Sequence, residues 1–360
     1  QTVAEEWGNG LIRSWNTADW IDLPRTVGEK IAKLIGADPG TVVVADSTSL
    51  NLFKVLAVAL SLRPDRRVIL SEEGNFPTDL YIASGIADLL GKGHELRAVP
   101  RQDLANAITP DVAVLMLTEV NYRTGFKNDM ADLTAMAHAA GAIALWDLAH
   151  SAGAFPVDLK SADADFAVGC GYKYLNGGPG APAFAYVAPR FLDGLRQPLT
   201  GWLGHAKPFA FAPHYEPAPG INALRVGTPS VIGMSALDAA LSAFDGVSLQ
   251  DLRRKADALW DLFVSEVNGP APELQPITPG DPMLRGTQAS FRHPEAYAIM
   301  QALIARGVIG DYREPDILRF GITPLYLRYI DVWTAARQIG EVMLSGEWNR
   351  PEFKRKAKVV

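Results

Sequence analysis

The chain alternates short, almost uninterrupted apolar runs with longer stretches of helical period. Runs at 41–45, 67–70, 113–117, 142–146 and 165–169 read as strands. Residues 50–62 read as a helix closed by Arg63-Pro64. Between 129 and 140, Met130, Leu133, Met136 and Ala137 fall on one helical face, and Gly141 stops the helix. Strands apolar along their whole length have both faces covered, so the expected fold class is α/β: a mostly parallel sheet flanked by helices. Such sheets bind ligands beyond the carboxyl ends of their strands. Polar residues follow the runs there: Ser47-Thr48, Thr118, Asp147 and the Tyr172-Lys173 pair.

A second region begins near Gly246. It reads as a long amphipathic helix (249–267), a Pro-rich junction (269–282), strand-like 288–292, a helix over 294–305, short pieces at 307–310 and 318–321, and a last helix over 329–344. The expected organisation is a large domain over 24–245, a smaller α+β domain from 1–23 and 246–345, and a flexible, solvated basic tail over 346–360 carrying Lys354, Arg355, Lys356 and Lys358.

Composition narrows the classes. At 360 residues, 48% hydrophobic and 21% charged, the chain has the profile of a globular protein with a large core. A net charge of −6 disfavours nucleic acid as a partner. The single cysteine, Cys170, excludes an intrachain disulfide or a thiolate metal cluster and suits a reducing compartment. The longest apolar stretch is broken by Asn51 and Lys54, so no membrane span is expected, and no export signal is visible at the N-terminus. A cytoplasmic location is the expectation. The chain starts at Gln1 without an initiator Met.

Asp147, His150, Tyr172 and Lys173 form the central constellation. Each alone is ordinary: an Asp after a strand caps a turn, a Lys is solvated, a His bonds structurally. Together they match what pyridoxal phosphate needs from a protein: an amine to bond covalently, an anion beside the ring nitrogen, a surface for the ring face and donors for the phosphate. Lys173 lies 26 residues after Asp147, at the next strand end.

The stretch WDLAHSAGAFPVDL…DADFAVGCGYKYLNGGPGAPAF resembles pyridoxal phosphate enzymes of the aspartate-aminotransferase fold (fold type I), and within them the kynureninase family. So do DSTSLNLFK at Ser47-Thr48, FPTD at 76–79, NYRTG at 121–125, GWLGH at 201–205, RVGTP at 225–229 and RFGITPLY at 319–326. The resemblance covers roughly residues 7–345. It implies that Lys173 holds the cofactor, Asp147 pairs with the ring nitrogen and Phe76 stacks on the ring. Ser47, Thr48 and Tyr172 would hold the phosphate, with Asp79, Thr118 and His150 around the cofactor. Trp202 and Thr228 would reach the cofactor of the neighbouring subunit in a homodimer with shared sites. Arg319 would grip the substrate carboxylate and Trp15 lie near the substrate ring; ordinary packing is the other reading of Trp15. His205 has no role beyond its loop. One departure stands out: an Asp-Gly-Asn-Ser-Leu-Gly-like motif, carried upstream by family members, is absent. Either the chain is truncated or part of its N-terminal arm is lost.

The implied activity is hydrolysis of L-kynurenine to anthranilate and L-alanine, with 3-hydroxykynurenine as a second candidate substrate, in tryptophan catabolism by the kynurenine pathway and toward NAD biosynthesis. Catalytic roles would fall to Lys173, Asp147 and Tyr172, the last also relaying a proton. The alternatives are an aminotransferase or cysteine desulfurase of the same fold, a non-catalytic pyridoxal phosphate-binding protein, and a metal hydrolase using Asp147 and His150. Desulfuration needs a nucleophilic cysteine on a loop after the lysine, whereas Cys170 precedes it. A metal hydrolase needs a His/Glu cluster at ligand spacing, which the sequence does not show.

Overall fold

The computed structural model describes residues 1–356. The chain forms two compact units.

The first unit comprises Gln1–Glu119 and Asn128–Gly246. Its helices are α1 (Ser14–Thr17), α2 (Leu23–Leu34), α3 (Thr48–Ser61), α4 (Pro77–Leu90), α5 (Leu104–Ala107), α6 (Met130–Ala139) and α7 (Val231–Leu241). Its strands are β1 (Val42–Val44), β2 (Val68–Glu72), β3 (Glu95–Val99), β4 (Val112–Thr118), β5 (Ile143–Asp147), β6 (Phe166–Cys170) and β7 (Ala183–Val187). They form one sheet in the order β1-β7-β6-β5-β4-β2-β3. Only β7 is reversed: it pairs antiparallel with both β1 and β6, and the other pairs are parallel. Six carboxyl ends therefore point the same way. On one face Val114, Met116, Ile143, Leu145, Phe166, Val168, Ala185 and Val187, at the period of two that a strand imposes, pack with Leu52, Val55, Leu56 and Ala59 of α3 and Ile86 of α4. The intervening residues of these strands are buried too, so both faces are covered.

The segment 1–23, expected with the smaller domain, belongs to the first unit. Trp20 is buried, its Nε1 donates to Glu6 Oε2 at 3.1 Å, and Arg225 Nη2 donates to Ile21 O at 3.0 Å.

The second unit comprises Val120–Lys127 and Val247–Val360, of which 357–360, including Lys358, lie outside the described residues. The hairpin at 120–127, expected in the large domain, is joined to it by the Lys127 N–H to Leu284 O bond at 2.9 Å. Its helices α8 (Leu249–Asn268), α9 (Ala296–Ala305) and α10 (Tyr329–Ser345) pack against an antiparallel sheet of β8 (Gln275–Pro276), β9 (Gln288–Arg292), β10 (Asp311–Arg313) and β11 (Ile317–Gly321), in the order β10-β11-β9-β8. Phe263, Phe291 and Phe320 meet edge to face at its core. The tail is not a loose basic strand as far as Lys356. Trp348 and Phe353 pack on this core, and Tyr297 Oη donates to Arg355 O at 2.9 Å. Its aromatic residues outweigh its charges. Among the described residues no single helix is long and apolar enough to cross a membrane.

Candidate active site

The carboxyl end of the sheet collects the polar residues. Thr118 and Asp147 lie side by side in register at the ends of β4 and β5. Asp147 is 6% exposed, and Ala149 N–H donates to its Oδ1 at 2.7 Å. Burial pushes the Asp147 carboxyl up, against the pull of the Lys173 charge. Asp79, in the first turn of α4, is 2% exposed and is held well above the carboxylate range, first by burial and then by the Asp147 charge. The Asp147 charge adds to burial in raising Asp79, whereas Asp79 acts to lower Asp147, so Asp79 is the member of the pair that keeps the proton.

Lys173 follows β6 through Gly171, where a Cβ would stand 2.4 Å from Pro182 O; only glycine allows that approach. Lys173 Nζ lies 3.1 Å from His150 Nε2, 5.9 Å from the centre of the Phe76 ring and 5.8 Å from that of Tyr172. Phe76 is set by its neighbours: Pro77 starts α4 directly after it, and its N–H donates to Asn75 Oδ1 at 2.6 Å. The Tyr172 phenol is pushed up to about 12, first by burial and then by Cys170 and Asp147, so at neutral pH it is a hydrogen-bond donor. Cys170 is buried, and burial pushes its thiol up, which leaves it a poor nucleophile.

Ser47 caps α3, its Oγ accepting from Leu50 N–H at 3.3 Å. Beside it Thr48 Oγ1 is buried without a partner. Beneath this turn lies a residue that chain pattern alone showed only as an interruption of an apolar helix. Lys54 is fully buried, and its Nζ donates to Asp46 Oδ2 at 2.8 Å and to Leu224 O at 2.7 Å. It ties the turn before α3 to the segment leading into RVGTP. A charge inside an apolar helical run was the available signal. Lys54→Met strands a partly buried carboxylate and a carbonyl; it is expected to cost about 2–3 kcal/mol in chemical denaturation.

The other candidates make local contacts of their own. Trp202 stacks with Phe211 at 6.2 Å between centroids and meets Phe209 edge-on, and Thr228 is exposed. His205 pins that loop: its Nδ1 accepts from Lys207 N–H at 2.8 Å, and its Nε2 lies 3.1 Å from His214 O, which selects the Nε2–H tautomer. Trp15 packs edge-on against Trp20 at 6.0 Å. Arg319 belongs to the second unit, where it is 8% exposed and bonds to Asp311 and to Tyr122 O.

Residues 252–339 match the family described as the kynureninase C-terminal domain. The kynureninase of Pseudomonas fluorescens is 53% identical over 358 residues, covering 98% of this chain and 86% of that protein. That of Burkholderia pseudomallei (strain 1106a) is 51% identical over 366 residues, covering 100% and 88%. The chain belongs to the kynureninase family.

Solved structures extend the likeness of fold. An apo cysteine desulfurase from Thermococcus onnurineus NA1 superposes with a TM-score of 0.78 at 19% identity, covering 91% of this chain and 86% of that one. A C-DES mutant with glycine covalently linked to its PLP cofactor gives 0.80 at 19%, covering 94% and 91%. The kynureninase family and this fold imply pyridoxal phosphate, and the residues fit it. The orphaned Thr48 hydroxyl at the N-terminus of a 14-residue helix suits a phosphate, and the buried carboxyl pair suits a protonated ring nitrogen. Lys173 stands within reach of the Phe76 face.

Proposed function

We propose that the chain hydrolyses L-kynurenine to anthranilate and L-alanine, with pyridoxal phosphate held by Lys173. The observation that carries the chemistry is the convergence of a lysine amine and a buried carboxyl pair at the carboxyl end of one sheet. When bound, the cofactor supplies an electron-withdrawing ring that stabilises negative charge developing at the substrate α-carbon.

The protein's own groups do the rest. Asp147, kept anionic by the proton on Asp79, holds the ring nitrogen protonated. Phe76 covers the ring face. Ser47, Thr48 and Tyr172 donate to the phosphate, Tyr172 as a phenol. Thr118 and His150 complete the surroundings, and His150 steadies the Lys173 amine at 3.1 Å. Once substrate frees it, that amine takes the α-proton and returns it at the positions the reaction requires. Arg319 binds the substrate carboxylate, with Trp15 toward the substrate ring. Trp202 and Thr228, on an exposed loop and strap, serve the site of a second copy in a homodimer. A cytoplasmic enzyme of tryptophan catabolism, feeding NAD biosynthesis, is the setting this reading supports.

Desulfuration lacks its nucleophile, since the sole cysteine is buried. Transamination is separated by products. Incubated with kynurenine and the cofactor, the protein is expected to release fluorescent anthranilate and alanine in equal amounts. A keto acid without anthranilate would overturn the proposal in favour of an aminotransferase. Absence of both products would favour a non-catalytic binder.

A further inference from the structure

The second unit surrounds Arg319 with an arrangement that the reaction above leaves unexplained. Asp311 of β10 stands directly opposite Arg319 of β11 in the sheet register. Arg319 Nε donates to Asp311 Oδ1 at 3.0 Å and Oδ2 at 3.2 Å, and its Nη2 donates to Oδ2 as well. Its Nη1 donates to Tyr122 O at 2.7 Å. Asp311 therefore takes the side-on edge of the guanidinium, formed by Nε and Nη2. Of the five N–H groups of an arginine, one on each terminal nitrogen lies outside these bonds. That is the number a carboxylate needs for end-on, two-point binding.

The supports of this guanidinium are themselves fixed. Tyr122 O also accepts from Gln288 Nε2 at 3.1 Å. The turn that presents it is closed by Asn121 Oδ1, which accepts from Arg123 N–H at 3.0 Å and Thr124 N–H at 3.1 Å. Gly125 completes the turn at φ +72°, where a Cβ would stand 2.8 Å from Gln288 Cγ. The NYRTG motif thus has a structural use. Arg313 Nη2 lies 3.1 Å from Asp311 Oδ2, so one carboxylate faces two guanidinium groups and a net positive charge remains.

We propose that Asp311 is a positioning residue. With Tyr122 O it locks the Arg319 plane so that its two remaining N–H groups meet the substrate carboxylate. This rests on the reading of Arg319 as the carboxylate-binding residue. A free arginine would have to order its side chain on each binding event; the Asp311 fork does so in advance.

The test compares Asp311→Asn, Asp311→Glu and Arg319→Gln in the cofactor-loaded enzyme. Each is assayed with kynurenine and with the corresponding amine that lacks the carboxylate, used as a competitive inhibitor. Asp311→Asn is expected to raise KM for kynurenine at least tenfold and change kcat less than threefold. The inhibition constant of the carboxylate-free amine should stay within twofold, a split that general loosening of the fold would not give. Asp311→Glu, which keeps the charge but shifts the fork, should fall between Asn and the native residue. It also carries the test if the Asn variant does not fold. If Asp311→Asn and Asp311→Glu leave KM unchanged or lower it while Arg319→Gln raises it, the positioning role is overturned and the Arg319 reading stands. If Arg319→Gln too leaves KM unchanged, the Arg319 reading falls and takes the proposal with it. Equal weakening of kynurenine and the amine would also overturn the proposal.

Discussion

Lys173→Ala is expected to yield a folded protein with turnover reduced by at least about 10⁴-fold. The substitution removes both the covalent attachment and the amine that moves the α-proton. His150 Nε2 is 3.1 Å from the missing Nζ but is held on a different strand connection, and the buried lysine Lys54 is committed to Asp46 and Leu224 O. The fold should survive because Lys173 is only half-buried and the hydrogen bond of its side chain is to His150, while its carbonyl keeps the Asn176 N–H bond in the alanine variant. Steady-state anthranilate release measures the loss. A small primary amine added to the assay should restore part of it, as expected when the missing group is a proton carrier.

Asp147→Asn carries the second large effect, a fall in kcat of about 10²–10³-fold with the covalent attachment retained. An amide cannot hold the ring nitrogen cationic, although its size suits the site and Ala149 N–H keeps a carbonyl acceptor. The variant also reports on the carboxyl pair. In the folded chain the raised Asp79 keeps a proton that the unfolded chain releases above the ordinary carboxylate range. The stability this contributes is complete below that range and is lost as pH rises through the raised value. Removing the Asp147 charge takes away a cause that raises Asp79 and leaves burial, the largest one. The decline of thermal stability with rising pH should therefore be shallower in cofactor-free Asp147→Asn than in the native chain.

Much of the site was legible because parallel strands advertise their ends. Asp147 and Lys173 each follow an apolar run, and the topology of such sheets brings those ends together. Thr118 was readable for the same reason, and its register with Asp147 follows from adjacent strands. Other features had no such signature. β3 (Glu95–Val99) lies at one edge of the sheet and alternates charged with apolar residues, so it offers no run to find. The reversal of β7 depends on the tight glycine-rich return after Lys173, not on strand composition. Asp79 looks like a helix-start acid; only burial against a second carboxyl changes its protonation. Lys54 read as a blemish in an apolar helix, since its partners come from residues 46 and 224. The first 23 residues read as part of the smaller domain because nothing local in them declares where Trp20 is buried. The basic tail misled because charge is conspicuous, whereas the anchoring side chains, Trp348 and Phe353, are single residues within it.

The central claim is that the amine of Lys173 is the one that bonds the cofactor. Borohydride reduction of the cofactor-loaded native protein, followed by proteolysis and mass spectrometry, tests it directly. The account predicts one modified peptide, carrying the reduced cofactor on the lysine of Gly171-Tyr172-Lys173-Tyr174. Modification of a different lysine, or no retained cofactor after reduction, would contradict it.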